Sequence, residues 1–216
     1  EDLTVTLAAN TIAAPSTTFT VVVNDDALVE GPETLTVGLV SVVNDNGTGA
    51  TLGGASITTL TISDNDSTTL SVTSSPSIVN ENVGNATFTI ALSSPAEVPV
   101  VINYETFGNT ATNTNDYTGV FPATAATFTV GETTKLITVP IVDDPIDEAQ
   151  YENFRFGARV VNPNGASVAL ASPTLSTTIT VATLTIEDND DSTVSVTGPA
   201  SVTEGSPATF TIARSP

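Results

Sequence analysis

Acidic side chains are the residues of this sequence whose type and spacing could do chemistry. The 216-residue chain carries 24 Asp and Glu against 4 Lys and Arg, and it contains no Cys, His, Met or Trp. Without Cys and His, thiol nucleophiles, Ser-His-Asp triads and the usual zinc sites are excluded. Carboxylate oxygens suit Ca²⁺, which takes about six to eight ligands in irregular geometry, better than Mg²⁺, which keeps its waters. The residue types of this sequence are therefore suited to binding a hard cation.

The acids are concentrated in short segments that recur along the chain. Asp-Asp at 25–26 returns at 143–144, 118 residues later, and Asp-Asn-Asp at 64–66 returns at 188–190, 124 residues later. In both copies two closely spaced Glu follow Asp-Asp, at 30 and 33 and at 148 and 152. The second copy has Glu81, Asp116, Asp143, Asp144, Asp147, Glu148, Glu152, Asp188 and Asp190, and the first has Asp25, Asp26, Glu30, Glu33, Asp64 and Asp66.

Such clustering needs a physical reason. Two carboxylates about 5 Å apart repel each other by roughly 3 kcal/mol at an effective dielectric constant of about 20. A fold that gathers several of them at one end requires a cation between them. A single Asp-Asn-Asp is also a good polar turn, but its repetition behind Asp-Asp and two Glu favours calcium.

The apolar residues that must position these acids alternate with polar ones. Phe19, Val21 and Val23 follow this period of two, and 137–141 and 86–90 repeat it. Such alternation predicts half-buried antiparallel strands. Turn signals such as Asn46-Gly47 and Asn164-Gly165 separate them. We predict an all-β chain of immunoglobulin-like antiparallel β-sandwich modules, each with about seven strands.

The recurrences set the module boundaries, because their spacing gives a period of about 120 residues. Residues 67–190 are predicted to form a complete module. Residues 1–66 are the C-terminal part of a preceding module, and 191–216 are the first strands of a following one. Only a few residues link 64–66 to the next strand, so the modules are joined closely.

Taken in order, these motifs resemble the Calx-beta family, which occurs in sodium/calcium exchangers and in large bacterial surface proteins. The matching segments are Val-Asn-Glu-Asn-Val-Gly (79–84), Asp116-Tyr117, Asp143-Asp144 with Glu148 and Glu152-Asn153-Phe154, and Thr-Ile-Glu-Asp-Asn-Asp (185–190). The first copy repeats the pattern at Asp25-Asp26, Glu30-Gly31-Pro32-Glu33 and 62–66.

The resemblance implies a seven-stranded sandwich with a Ca²⁺ cluster at one end. The two Glu are three apart in the first copy and four apart in the second, so Asp147 and Glu148 remain alternative ligands. The ligands implied for the first copy are Asp25, Asp26, Glu30, Glu33, Asp64 and Asp66. In the third copy, residues 191–216, the one implied ligand is Glu204. In the complete module the implied ligands are Glu81, Asp116, Asp143, Asp144, Glu148, Glu152, Asp188, Asp190 and the carbonyl of Ile146.

Charge and residue types restrict the possible functions. A net charge of −20 excludes nucleic acid as a partner, because nucleic acids are bound by basic surfaces. No apolar run of about 18 residues exists that would insert in a membrane. A glycosidase needs one carboxyl held protonated, whereas acids around a cation stay ionised. We therefore expect no enzymatic activity.

Repetition and the resemblance together predict a calcium-binding structural or adhesive repeat of a large extracellular or cell-surface protein of bacterial type. It would belong to a filament or an extracellular matrix and serve in cell adhesion, with Ca²⁺ stiffening the joints. Its partners would be calcium, neighbouring modules or head-to-tail copies of itself, and a cell-surface or matrix ligand. The alternative is a calcium-sensing regulatory module of a membrane transporter.

Overall fold

The computed structural model describes residues 16, 18–43 and 51–215, and their regular structure is almost entirely β. The predicted Asn46-Gly47 turn lies outside these residues. No helix in the described part is long and apolar enough to cross a membrane, and the short 3-10 helix there is Glu81–Val83. The strands are β1 Glu33–Gly38, β2 Ile57–Ile62, β3 Thr68–Ser74, β4 Ile78–Asn80, β5 Asn85–Leu92, β6 Val100–Gly108, β7 Thr124–Phe128, β8 Thr134–Pro140, β9 Tyr151–Asn162, β10 Val168–Leu170, β11 Thr174–Ser176, β12 Ile179–Glu187, β13 Val194–Thr197 and β14 Thr211–Arg214.

Strands β3 to β12 form a sandwich of two sheets. One sheet has the order β10-β3-β5-β8, and the other has the order β11-β12-β9-β6-β7, with β4 also paired to β12. All pairs are antiparallel except β10 with β3 and β4 with β12. Seven of these ten strands have five residues or more, and β4, β10 and β11 have three each. The predicted fold class, an antiparallel β-sandwich, is confirmed.

The core follows from the period-two pattern. Along β5, Ala86, Phe88, Ile90 and Leu92 are buried while their neighbours are exposed or half-buried, because successive side chains of a strand point to opposite faces. Aromatic rings extend this core toward one end of the sandwich. The Phe88 ring packs edge-on against Phe154 at 5.8 Å between centroids, and Phe154 stacks on Tyr117 at 4.0 Å.

The flanking segments repeat parts of the complete module. Strands β1 and β2 pair so that Glu33 lies opposite Ile62, as Glu152 lies opposite Ile186 in β9 and β12. Strands β13 and β14 pair as β3 and β5 do. The strand predicted from Phe19, Val21 and Val23 is absent from the described residues. Its counterpart β8 is held by β5, and no described residue gives residues 18–24 such a partner.

The packing of Phe154 between Phe88 and Tyr117 can be tested by mutation. Phe154→Ala is expected to destabilise the complete module by about 3–5 kcal/mol, because Phe154 is fully buried between two other rings. Urea unfolding followed by tyrosine fluorescence measures this. All three tyrosines, Tyr104, Tyr117 and Tyr151, lie between β3 and β12.

Val161→Ala is the matched control, since Val161 lies on the same strand and is 53% exposed. Its effect should stay within about 0.5 kcal/mol. A Phe154→Ala protein as stable as this control would contradict the packing described here.

Candidate metal centre

Strand register brings carboxylates from distant parts of the sequence to one end of the complete module. Asn80 pairs with Glu187 in the parallel ladder, and Tyr151 pairs with Glu187 in the antiparallel one. The residues that follow Asn80 and Glu187 and those around the start of β9 therefore lie together at this end of the sheet. They comprise Glu81 of the 3-10 helix, Glu148 and Glu152 at the start of β9, and Asp188 and Asp190 after β12, and they are joined by Asp116 of the β6–β7 connection.

The six carboxylates form two groups. In the first group, Glu81, Asp188 and Asp190, one oxygen from each residue lies within 4.8 Å of the others. The second group, Asp116, Glu148 and Glu152, satisfies the same limit. The three ion pairs found among the described residues involve none of these six side chains. Each group therefore gathers negative charge without a basic partner.

The Glu81 carboxyl is the most perturbed member of the first group. The backbone around it is fixed by Asn80, whose side chain accepts a hydrogen bond from the Asn82 N–H (3.2 Å). Its own Oε1 accepts one from the Asp144 N–H (2.9 Å). Burial raises the pKa of Glu81 to about 7, and the negative charges of Asp188 and Asp144 add to the increase.

Three further acids of the groups have pKa values that are raised in the same direction. Burial, and then the charge of Asp116, raise the pKa values of Glu148 and Glu152. Burial, and then Asp188, raise the pKa of Asp190. Both causes disfavour the charged form, and the positive charge of a bound cation would offset them.

Backbone N–H groups donate to Asp188 and hold the segment 188–190 in place. They leave one buried carboxylate oxygen of this segment without a hydrogen-bond partner. Asp188 accepts the N–H of Glu148 on Oδ2 (3.0 Å) and the N–H of Asp190 on Oδ1 (3.1 Å). Among the described residues, Oδ2 of Asp190 is the one buried side-chain oxygen that has no hydrogen-bond partner. A buried anionic oxygen without a donor is costly, and a metal ligand is a role that relieves that cost.

The second group is built around Asp116. The N–H and the hydroxyl of Thr112 both donate to its carboxylate, and its carbonyl accepts the N–H of Val142 (3.0 Å). Sequence reasoning missed Thr112, because a Thr four residues before an Asp is ordinary in a polar loop. The adjacent Tyr117 is buried against Phe154, which anchors this loop on the core.

The space between the groups suits an ion. A cavity of about 10 Å³ has room for one water-sized sphere. Hard carboxylate oxygens, free of thiolates and imidazoles, are the ligands that Ca²⁺ takes. The residues present therefore fit calcium. The lining residues are Glu81, Asp116, Glu148, Ala149, Glu152, Ile186 and Asp188.

The remaining predicted ligands of this module lie beside the groups. Asp144 accepts the N–H of Ile146 on Oδ1 (2.8 Å), and the Ile146 side chain is exposed. Asp143 is exposed and its charge contributes to the raised pKa of Asp190. Of the two alternatives, Glu148 joins Asp116 and Glu152, whereas Asp147 pairs with Arg214 (2.8 Å).

The first copy repeats this local geometry. Asp64 accepts the N–H of Glu30 on Oδ2 (2.8 Å) and that of Asp66 on Oδ1 (2.9 Å), and Asp26 accepts the N–H of Leu28 (2.8 Å). These bonds match those of Asp188 and Asp144, so Glu30 is equivalent to Glu148. The extra residue of the second copy therefore falls between Glu148 and Glu152.

The acids of the first copy surround a larger space. They line a cavity of about 270 Å³. Burial, and then the charge of Asp64, raise the pKa of Asp66. In the third copy Glu204 is an exposed turn residue outside both carboxylate groups. The acids around the cavity are Asp25, Asp26, Glu30, Glu33, Asp64 and Asp66.

Two solved structures of Calx domains are among those similar to this chain. The apo form of the Calx CBD1 domain is similar in structure, with 24% identity, 56% of this chain and 98% of that chain covered, and a TM-score of 0.44. CBD12 from CALX1.2 is similar at 26% identity, covering 55% of this chain and 45% of that one, with a TM-score of 0.44. A search of curated protein sequences found no match.

The family model of the Calx-beta domain matches residues 13–66 and 63–190. These two stretches cover well over half of the chain, and they confirm the resemblance found in the sequence. Calx-beta domains bind calcium, so the predicted cofactor, Ca²⁺, is confirmed at the level of the family. The chain belongs to the Calx-beta domain family.

Proposed function

We propose that the chain is a calcium-responsive segment of a modular array, in which Ca²⁺ fixes the direction in which the chain leaves each module. The observation that carries this proposal is the makeup of the first carboxylate group. It joins Glu81, from the opening of the module, to Asp188 and Asp190, which follow its last strand. One ion held there would tie the beginning of the module to its exit.

The exit segment is short, which makes its direction sensitive to the ion. Strand β12 ends at Glu187 and β13 of the next module begins at Val194. The carboxylate of Asp188 already holds the Glu148 N–H of the β8–β9 turn. A cation that was also bound by Asp190 would order the chain on both sides of this joint. Bound Ca²⁺ would also stabilise the module by mass action, about 2.7 kcal/mol per site at a hundredfold excess over Kd.

Two roles predicted from the sequence use such a joint. The calcium-sensing role requires a calcium-dependent change in the module, for which the family and the carboxylate groups provide the basis. The adhesive, filament or matrix role also requires a partner surface, and neither the family match nor the described residues support one. Calcium sensing is therefore the better supported of the two.

A binding role, not a catalytic one, is part of the proposal. The cavity between the carboxylate groups, about 10 Å³, is too small for a sugar or another organic substrate. Glu81, whose pKa of about 7 would suit an acid catalyst, is surrounded by other carboxylates and held by the Asp144 N–H. These features favour a metal ligand.

The dissociation constant for calcium distinguishes the sensing role from the structural role, and a cytosolic location from an extracellular one. Isothermal titration should give a Kd in the micromolar range or below if the module senses cytosolic calcium. A Kd of about 10⁻⁴–10⁻³ M is typical of extracellular modules. That result would favour the extracellular or cell-surface location and the structural role.

Neutralising one ligand should weaken calcium binding. Asp190→Asn is expected to lower the affinity about tenfold or more, because it removes the charge of the unpartnered oxygen. It should also reduce the calcium-induced rise in Tm in a calorimetric scan. Glu187→Gln is the control, since Glu187 lies one residue before Asp188 yet belongs to neither carboxylate group.

Equal calcium affinities for these two variants would contradict the assigned site. An unchanged Tm when the unaltered chain is scanned in calcium and then in chelator would contradict the proposal as a whole.

Calcium binding should release a proton near neutral pH. With its pKa at about 7, Glu81 is largely protonated at pH 6, so affinity should fall as the pH drops from 7 to 6, by about fivefold. Calorimetric titrations in two buffers of different ionisation enthalpy measure the released proton. Glu81→Gln should abolish this release between pH 6 and 8, and an unchanged release in that variant would assign the proton elsewhere.

The metal-free protein should show the opposite trend. A carboxyl pKa raised in the folded state stabilises the fold below its unfolded value near 4.5. That contribution is lost as the pH rises through about 7. In chelator, Glu81→Gln should therefore flatten the decline in stability over this range, as measured by urea unfolding at pH 5 and at pH 8.

A further inference from the structure

The turn that carries the acids of the first copy also enters the second module. Val29 is 0% exposed and belongs to the same hydrophobic cluster as Leu92 and Ala96. Its N–H donates to the Pro95 carbonyl and its carbonyl accepts the Glu97 N–H, both at 3.1 Å. One side chain of the preceding module thus completes the core of the next one.

The equivalent residue of the complete module is Asp147. In the first copy Val29 lies between Leu28 and Glu30, whose N–H groups donate to Asp26 and Asp64. In the second copy the residue between the matching donors, which bind Asp144 and Asp188, is Asp147. The two positions are therefore related by hydrogen-bond geometry, not by alignment alone.

Asp147 also reaches the following module, but with different chemistry. Its Oδ2 lies 2.8 Å from Nη2 of Arg214 and accepts the Ser192 N–H at 3.3 Å. Arg214 is held by a second bond, from its Nε to the Ser192 hydroxyl (2.8 Å). The second joint is therefore an ion pair where the first is an apolar contact.

The position on the successor that pairs with Asp147 also differs between the two modules. Arg214 lies opposite Val194 in the β13–β14 pair, as Leu92 lies opposite Leu70 in the β3–β5 pair. The Ser215 hydroxyl accepts the Thr193 N–H at 2.9 Å, as the Ser93 hydroxyl accepts that of Thr69. Arg214 is thus the counterpart of Leu92.

We propose that these two positions, 29/147 on one module and 92/214 on its successor, determine which neighbouring modules can dock on each other at a joint. If the first position is apolar, as Val29 is, it fits a successor whose second position is also apolar, as Leu92 is. If the first position is acidic, as Asp147 is, it fits a successor that has an arginine at the second position, such as Arg214. A mismatch buries an unpaired charge or leaves one unneutralised, and such penalties give specificity. The joint residues would thus make the docking at each joint specific to the module that follows along the chain.

The first joint can be tested by hydrogen exchange on the full chain, in chelator as well as in calcium. Val29→Asp should lower the protection of the Glu97 amide at least tenfold while the β5 amides stay protected. Val22→Asp is the control, because Val22 is 79% exposed and its change should leave Glu97 unaffected. Unchanged protection of Glu97 in Val29→Asp would overturn the proposal.

Charge reversal tests the second joint without altering a core. The chain has no native cysteine, so cysteines at exposed Thr134 and Ser201 can carry spin labels for distance measurements. Asp147→Arg and Arg214→Asp should each broaden the distance distribution, and the double variant should narrow it again. A double variant as broad as the single ones would overturn the proposal.

Because Val29, Asp147 and their partners lie outside the carboxylate groups, the expected changes persist in chelator. Failure of calcium binding and failure of this pairing are therefore distinguishable.

Discussion

Mutual repulsion of carboxylates is the constraint on which the acidic end of the structure depends. Six of them are gathered in two groups, and no basic side chain among the described residues neutralises them. Burial adds to this repulsion, as the raised pKa values of Glu81, Glu148, Glu152 and Asp190 indicate. The apolar core supplies the free energy that keeps them together without an ion. A cation would turn the same arrangement from a cost into a source of stability.

The sandwich provides the rigidity that this arrangement needs. Register between β4, β9 and β12 places the carboxylates at one end, although Glu81 and Asp190 are more than a hundred residues apart in sequence. The ring of Tyr117, packed on Phe154, fixes the loop that carries Asp116. The site is thus a product of tertiary structure: no local segment could form it alone. This makes calcium binding and folding of the module interdependent.

The sequence allowed several strands of the complete module and the candidate ligands to be predicted, because alternation and repetition are local properties. Phe88 and Ile90 face the core as their spacing indicates. Spacing leaves Asp147 and Glu148 as alternatives, and only tertiary contacts place Glu148 beside Asp116 and Glu152 and Asp147 beside Arg214. Phe19 to Val23 alternate as a strand does, yet a strand requires a neighbour to pair with. Val29 and Arg214 carried no signal, because each acts across a joint between modules.

Whether Ca²⁺ binds within the two carboxylate groups can be seen by anomalous diffraction from crystals of this chain grown in saturating calcium. We expect one anomalous peak or more among Glu81, Asp188 and Asp190, and another among Asp116, Glu148 and Glu152. Peaks found only at other acidic residues, or none at saturation, would contradict this assignment.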